Sequence, residues 1–185
     1  MYSKGFTLLE LLSVLTISLI IVQVGIPTYR DLLQRHQSRV AIYQVLNAVN
    51  FARATAVTQG ATVSICPRRG TDDCGREWRK GLIVFVDANS NGDREESDRV
   101  LLVSPPFPEN SSMTWSSFGS NNHLRFVASG ATINQNGSFT YCPPSKNAVY
   151  ARQVVVNKIG RARLAMDRDG NGIRENARQE DISCN

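Results

Sequence analysis

The chain has 185 residues, a formal charge of +5 and a hydrophobic fraction of 42%. This composition is ordinary for a folded globular protein, and the length leaves room for one domain with a core of its own. The basic balance, with a pI near 9.3, favours an acidic partner but says nothing about the fold.

The first predicted element is a long apolar segment near the N-terminus. Of the 21 residues from 6 to 26, 14 are large and apolar, and Glu10 is the only charged residue among them. About 20 apolar residues are enough for a helix to cross a bilayer. A carboxylate inside such a helix is unfavourable by about 2.5–3.5 kcal/mol, so Glu10 is a candidate functional residue. A cleavable secretory signal does not fit, because no small-residue site follows the run. The simpler alternative is an uncleaved anchor with an incidental glutamate.

The stretch Lys-Gly-Phe-Thr-Leu-Leu-Glu at residues 4–10, followed by the apolar run, resembles the class III leader of type IV pilins and type II secretion pseudopilins. This resemblance implies cleavage between Gly5 and Phe6 by a prepilin peptidase on the cytoplasmic side, with N-methylation of Phe6. It also implies that Glu10 neutralises the Phe6 amine of a neighbouring subunit during assembly. A buried carboxylate becomes tolerable once it has such a cationic partner.

A second helical segment is predicted to extend to about residue 59, with Gly60 as its C-terminal stop. An apolar stripe recurs there at three- and four-residue intervals, and Pro27 is interpreted as a kink where the helix leaves the lipid. We expect the rest of the chain to cover this stripe. His36 lies on it, so a packed core position is favoured over a ligand role. The stripe comprises Tyr29, Leu32, Leu33, His36, Val40, Tyr43, Leu46, Asn50, Phe51, Ala54 and Val57.

Beyond Gly60 the pattern changes to short β-like runs separated by turn dipeptides such as Asn-Gly. Seven such runs predict antiparallel sheets. The expected fold class is α+β and pilin-like, with a long N-terminal helix packed on a β-sheet head of two small sheets. The chain then divides into a leader (1–5), a transmembrane and assembly helix (6–27), an amphipathic helix (28–59) and the head (60–185). The predicted strands are 62–66, 82–87, 100–104, 124–127, 138–141, 149–157 and 163–166.

Two stretches of the head, residues 78–87 and 154–163, resemble the GspH/FimT branch of the pilin family. Members of this branch are minor pilins of type IV pili or the minor pseudopilin near the tip of the type II secretion pseudopilus. The resemblance implies a chain held in the inner membrane with its head in the periplasm, which then joins other pilins in a pilus or pseudopilus. We expect no cofactor and no enzymatic activity, because the sequence has no metalloprotease histidine motif, P-loop or G-x-S-x-G elbow.

A basic motif near the C-terminus raises a further hypothesis. Lys158, Arg161 and Arg163 surround Gly160, and the Gly-Arg-x-Arg order resembles the motif through which FimT-type minor pilins bind DNA during natural transformation. Guanidinium groups suit phosphates because they bind bidentately and stay charged. The alternatives are a solvated hairpin common to the branch, and a GspH-type pseudopilin of type II secretion with no DNA binding. A second cluster would extend the patch if it folds alongside: Arg68, Arg69, Arg76, Arg79 and Lys80.

Four cysteines behind a membrane leader indicate disulfides in an oxidising compartment, and they allow three pairings. We favour Cys66 with Cys74, which bracket a charged loop, and Cys142 with Cys184, which would tie the last residues to a strand.

Two acidic stretches imitate calcium-binding loops, at residues 87–98 and 167–178. The twelfth position, normally a bidentate glutamate, is the shorter Asp98 in the first stretch and Arg178 in the second. Both stretches have β-like flanks in place of helices. We therefore interpret them as acidic turns and predict no metal.

Overall fold

The computed structural model describes residues 5, 7–119 and 122–184. One long helix, α1 (Leu8–Gln59), precedes a series of short strands with two 3₁₀ turns, at Trp78–Lys80 and Ala148–Tyr150. The chain divides into two compact units, Met1–His36 and Gln37–Asn185, with the boundary inside α1.

The first unit is helical from Leu8 onward, and its apolar side chains are exposed from Leu8 to Ile26. The helix continues through Pro27, although proline supplies no backbone donor. By length and composition this is a helix that could cross a membrane. His36 is exposed, so the predicted core position for this residue is wrong.

The second unit holds the C-terminal part of α1, whose buried face combines small residues with Ile42, Val45 and Val49. The positions below 9% exposure are Ser38, Ala41, Ile42, Val45, Ala48, Val49, Ala52, Thr55 and Ala56. The predicted stripe of larger residues lies on the other side, where Val40, Tyr43, Phe51 and Val57 are 41–53% exposed. The expectation that the head covers this stripe is therefore wrong. Alanines at four of the buried positions allow the helix to approach the sheets closely. Of the predicted stripe, Leu46 is the exception, because it is partly buried against the core.

Nine described strands form two antiparallel sheets. The first has the order β2-β1-β3-β4, with β6 also paired to β1, and the second has the order β5-β7-β8-β9. Their bounds are β1 Val63–Arg69, β2 Asp73–Cys74, β3 Leu82–Val86, β4 Val100–Val103, β5 Ser112–Ser117, β6 Leu124–Phe126, β7 Gly137–Cys142, β8 Arg152–Val156 and β9 Ala162–Leu164.

A single core joins α1 to both sheets in the second unit. Ala48 and Val49 of the helix belong to the same buried cluster as Ile65 of the first sheet and Phe139 of the second. Trp78 packs edge-on against Phe139, with 5.0 Å between ring centroids. The predicted α+β class, a long helix packed on two antiparallel sheets, is confirmed.

Each of the seven predicted strands overlaps a strand of the structure, and two were missed: β2 and β5. The run predicted at 149–157 is too long, because Ala148–Tyr150 forms a 3₁₀ turn and β8 begins at Arg152. The missed β5 alternates exposed serines and threonine with buried Met113 and Trp115.

Candidate functional site

Glu10 lies in the first turn of α1 and is exposed in the isolated chain. Its backbone N–H donates to the hydroxyl oxygen of Thr7 at 3.2 Å, so Thr7 is the N-cap of the helix. A negative side chain in a first helical turn interacts favourably with the helix dipole. Gly5 is exposed and precedes the helix, whereas Phe6, the predicted methylation position, lies outside the described residues.

The hydroxyl groups in the apolar part of α1 bond within the helix. Thr16 donates to the Leu12 carbonyl at 2.6 Å, and Ser18 donates to the Val14 carbonyl at 2.8 Å. Such back-bonding satisfies polar side chains where lipid offers no partner. Glu10 is therefore the one charged side chain in this stretch that needs a partner from elsewhere.

The predicted DNA-binding residues lie on the turn between β8 and β9 and on β9 itself. The N–H of Arg161 donates to Asn157 Oδ1 at 2.9 Å, and the N–H of Asn157 donates to the Arg161 carbonyl at 3.1 Å. Gly160 has a φ of 76° and is buried. A Cβ at this position would overlap the carbonyl oxygen of Gly130, so the turn requires glycine for both space and backbone conformation.

Helix α1 also helps to fix this turn. Arg53 donates from Nε to the Gly130 carbonyl at 3.0 Å, and Nε lies 3.0 Å from the position of a Cβ on Gly160. The N–H of Thr132 donates to the Lys158 carbonyl at 3.0 Å. The backbone that carries the basic side chains is thus held by the helix and by the loop after β6.

The basic side chains of this turn face solvent. Lys158, Arg161 and Arg163 are all exposed. Arg163 is opposite Val155 in the β8–β9 ladder, and β9 forms one edge of the second sheet. Arg161 and Arg163 are two residues apart, the spacing of one strand face. Across the described residues, none of the three forms an ion pair with a carboxylate. Exposed guanidinium groups at this spacing are suited to phosphate contacts.

The second basic cluster lies elsewhere. Arg76 and Arg79 line a surface depression together with residues of β5, and β5 is the opposite edge of the second sheet from β9. Two strands separate these edges, which is about 14 Å at the usual strand spacing. Arg68 donates to the Gly70 and Ser104 carbonyls at 2.8 and 3.1 Å, and Lys80 pairs with Glu77 at 3.2 Å. The two clusters are therefore separate surfaces, and the condition for a single extended patch is not met.

The acidic stretch at 87–98 is a loop between β3 and β4 that binds its own backbone. Buried Asp87 accepts hydrogen bonds from the Ser64 hydroxyl at 2.6 Å and from the N–H of Gly92 at 2.9 Å. Buried Asp98 accepts from the N–H of Ala88 at 3.2 Å and from that of Glu95 at 2.9 Å. These carboxylates order the loop, as predicted for an acidic turn.

His123 packs against this loop. A Cβ at Gly92 would lie 2.5 Å from its Nδ1. Burial lowers the pKa of His123 and the charge of Arg125 lowers it further, against smaller opposite effects of Asp93 and Asp87. The imidazole is therefore neutral near pH 7.

In the second acidic stretch, carboxylate oxygens of Asp167, Asp169 and Glu175 lie within 4.8 Å of one another. Asp167 accepts from the N–H groups of Gly170 and Gly172 at 2.8 and 2.9 Å, and Glu175 accepts from that of Arg168 at 2.8 Å. These contacts order the segment before the C-terminus.

Both favoured disulfides are present, Cys66–Cys74 and Cys142–Cys184. The first closes the loop between β1 and β2. The second links the end of β7 to the C-terminal segment, where Ile182 is buried with Ala151 and Ala165.

The chain matches the model of the GspH family, described as type II transport protein GspH, over residues 41–160. The type IV minor pilin FimU of Pseudomonas aeruginosa PAO1 is 22% identical at a TM-score of 0.57, over 71% of this chain and 90% of that chain. The minor pseudopilin EpsH of the Type 2 Secretion System of Vibrio cholerae is 10% identical at a TM-score of 0.52, over 69% and 95%. At these identities the likeness shows a common fold. No curated protein matches the chain significantly.

Proposed function

Because this chain belongs to the GspH family, we propose that it is a minor pilin of a type IV pilus. It is assembled through α1 into the filament or its tip. The observation that carries this proposal is the apolar surface of α1. From Leu8 to Ile26 every large apolar side chain is at least 46% exposed, and Glu10 lies among them. Lipid covers this surface before assembly, and the helices of neighbouring subunits cover it afterwards.

The outer face of α1 in the second unit supports the same proposal. Val40, Tyr43, Phe51 and Val57 leave 41–53% of their surface exposed. Full burial of an exposed apolar side chain contributes about 1.5–3 kcal/mol, and roughly half of this remains to be gained by each of these half-exposed side chains. Packing against the helices of other subunits would bury this face, whereas in a monomeric head it stays exposed to water.

Processing precedes assembly in this proposal. The prepilin peptidase cleaves between Gly5 and Phe6 on the cytoplasmic side of the inner membrane, and the new amine of Phe6 is methylated. Gly5, which contributes the carbonyl of the bond to be cut, is exposed and lies before Leu8, the first residue of α1. Glu10 then pairs with the Phe6 amine of the neighbouring subunit, and the head faces the periplasm until the filament grows.

The minor pilin also binds double-stranded DNA without sequence preference, through Lys158, Arg161 and Arg163. Support comes from three exposed cationic side chains at one edge of the second sheet. Asn157 and Gly160 fix the backbone of the turn that carries them. Arg161 and Arg163 lie just beyond residues 41–160, the part of the chain that matches the family model, so membership of the family does not by itself imply this activity.

DNA binding is tested on the full chain in detergent by the mobility shift of duplex DNA. We expect a shift at low salt that weakens steeply as salt is raised, because phosphate contacts release counterions. The double variant Arg161→Gln with Arg163→Gln is expected to abolish the shift. The matched control is Arg79→Gln with Lys80→Gln, which removes the same charge from the opposite sheet edge and is expected to bind as the wild type does. Equal binding by both double variants would refute the proposed site.

The second candidate is a GspH-type minor pseudopilin of the type II secretion system that does not bind DNA. The description of the family model and the likeness to EpsH favour it. Deletion of the gene in the source bacterium separates the two. Loss of surface pili or of transformation supports the minor pilin, whereas intact pili with blocked protein secretion supports the pseudopilin.

A further inference from the structure

The outer face of the second sheet carries a groove of about 560 Å³ that none of the proposals above uses. Side chains alternate across this sheet. Trp115, Phe139 and Tyr141 point into the core, so the residues between them face outward. The groove begins at the end of β5 and runs across β7 to β8.

Uncharged hydrogen-bonding groups make up the floor of the groove. Ser116 is opposite Ser138 in the β5–β7 ladder, and Thr140 is opposite Gln153 in the β7–β8 ladder. All four line the groove. The floor therefore offers three hydroxyl groups and an amide on two adjacent cross-strand pairs.

Gln153 is 7% exposed, and its amide is only half satisfied. Nε2 donates to the Thr140 hydroxyl oxygen at 2.9 Å, while Oε1 accepts no hydrogen bond from a described residue. If the amide is turned over, the same hydroxyl satisfies the oxygen and leaves the nitrogen without a partner. A buried amide group in this state is unfavourable by about 1–3 kcal/mol. A ligand with hydroxyl groups, which both donate and accept, can satisfy either orientation once the amide rotates toward it.

An aromatic ring and the C-terminal segment form the sides of the groove. Phe118, just after β5, is 75% exposed, an unusual position for a phenylalanine. The opposite side includes Arg178, whose backbone is held by its own N–H bond to Asn176 Oδ1 at 2.7 Å. The disulfide Cys142–Cys184 fastens this segment to the end of β7.

The lining chemistry restricts the class of ligand. An apolar ligand would strip water from the hydroxyl and amide groups without replacing their hydrogen bonds, at about 1–3 kcal/mol for each group. A multiply charged ligand would find a single ionisable group, Arg178, in the lining. The volume lies in the range of small-molecule sites. We propose that this groove binds an uncharged oligosaccharide, with hydroxyl groups bound to the floor and one sugar ring stacked on Phe118.

The test is an array of neutral oligosaccharides of glucose, galactose, mannose and N-acetylhexosamines, with sialylated and sulfated glycans on the same array. The probe is the labelled full chain in a zwitterionic detergent, because a maltoside detergent carries a sugar. We expect at least one neutral glycan to bind, and an excess of the same free glycan to compete. If no neutral glycan binds, or if only anionic glycans bind, the proposal is overturned.

Variants locate the binding in the groove. Phe118→Ser is expected to weaken binding about tenfold or more, equivalent to about 1.4 kcal/mol. Ser138→Arg places a long charged side chain on the floor and is expected to abolish binding, while Phe118→Tyr keeps the ring and retains it. The control Ile159→Ser removes another exposed apolar side chain, 58% exposed, from the β8–β9 turn and is expected to bind as the wild type does. Undiminished binding by both Phe118→Ser and Ser138→Arg overturns the assignment to the groove.

Discussion

At the scale of single residues, Glu10 combines a local structural role with its proposed role in assembly. Thr7 and Glu10 stand at the N-cap and third positions of α1, a spacing typical of a capping box, and the Thr7 bond to the Glu10 N–H is present. This bond involves the backbone of residue 10 and survives replacement of its side chain. The carboxylate itself is then available for a partner from another subunit.

We predict that Glu10→Ala leaves the head folded but prevents entry into filaments, because the Phe6 amine of the neighbour loses its counter-charge. The measurement is the amount of the variant in sheared surface filaments relative to the membrane fraction. Asp31→Asn is the control, since it removes one negative charge from the same helix beyond the apolar run. Normal amounts of Glu10→Ala in filaments would contradict the assembly role.

His123 predicts a dependence of stability on pH. Its pKa is lowered in the folded head by burial and by Arg125. Between this lowered pKa and the unfolded value near 6.5, the unfolded state binds more protons, so stability rises with pH. We expect the melting temperature to fall as pH is lowered below about 6.5, and the fall to be smaller in His123→Asn. A fall of equal size in the variant would assign the effect to other groups.

Site residues that belong to a short sequence motif could be predicted, whereas sets of residues that are brought together only by the strand order could not. Glu10, Gly5 and the Arg161–Arg163 pair are recognisable because each belongs to a short contiguous motif. The separation of Arg76 and Arg79 from Arg161 follows from the order β5-β7-β8-β9, which no local pattern contains. The groove residues come from three strands and the C-terminal segment, so no local sequence pattern indicates that they meet.

At the scale of elements, the prediction for α1 was right about the helix and wrong about its buried face. Large apolar residues usually mark the core side of a helix. Here the buried side carries four alanines beside Ile42, Val45 and Val49, and most of the predicted stripe faces outward. Helix α1 has two apolar faces. Which of them is buried depends on how closely the sheets approach the helix.

This close approach predicts opposite outcomes for two alanines of α1. Ala48 is 1% exposed, whereas Ala54 lies on the outer face and is exposed. Ala48→Leu overpacks the interface with the sheets and should reduce the free energy of unfolding by about 1–3 kcal/mol. Ala54→Leu should change it by less than about 0.5 kcal/mol. Chemical denaturation measures both, and equal effects would contradict the assigned buried face.

The β8–β9 turn gives a second prediction at this scale. Gly160→Ala introduces a Cβ that overlaps the Gly130 carbonyl, in addition to the strain of a φ of 76°. Gly170 has nearly the same φ, 78°, but no atom within 4 Å of its Cβ position. Gly170→Ala therefore measures the backbone term alone, about 1 kcal/mol. We expect Gly160→Ala to lower the free energy of unfolding clearly more than Gly170→Ala does, and also to weaken DNA binding. Equal decreases in the two variants, measured by chemical denaturation, would show that the turn tolerates the contact with Gly130.

Strand prediction succeeded where β-branched and aromatic residues are dense and failed where they are sparse. β3 has the sequence Leu-Ile-Val-Phe-Val, and the predicted strand 82–87 covers all of it. β5 contains three serines and a threonine among its six residues, which is typical of a loop, yet it pairs with β7 along its whole length. Its two apolar residues, Met113 and Trp115, point into the core and fix the strand.

At the scale of the whole molecule, the head is closed by two cross-links at different distances in sequence. Cys66–Cys74 spans 8 residues and Cys142–Cys184 spans 42. Replacement of the second pair by serine should lower the free energy of unfolding by about 2–4 kcal/mol, and by more than replacement of the first, because the longer loop restricts the unfolded chain more strongly. Denaturation of the two double variants measures the difference, and a larger loss for the Cys66–Cys74 pair would contradict this order.

For the molecule as a whole we propose one sequence of events: cleavage at Gly5, residence in the membrane, and entry into a filament through Glu10. The most direct measurement of this account is the intact mass of the chain recovered from sheared surface pili. We predict a species that begins at an N-methylated Phe6 and retains both disulfides. A chain that still begins at Met1, found in the membrane fraction and missing from the pili, would contradict it.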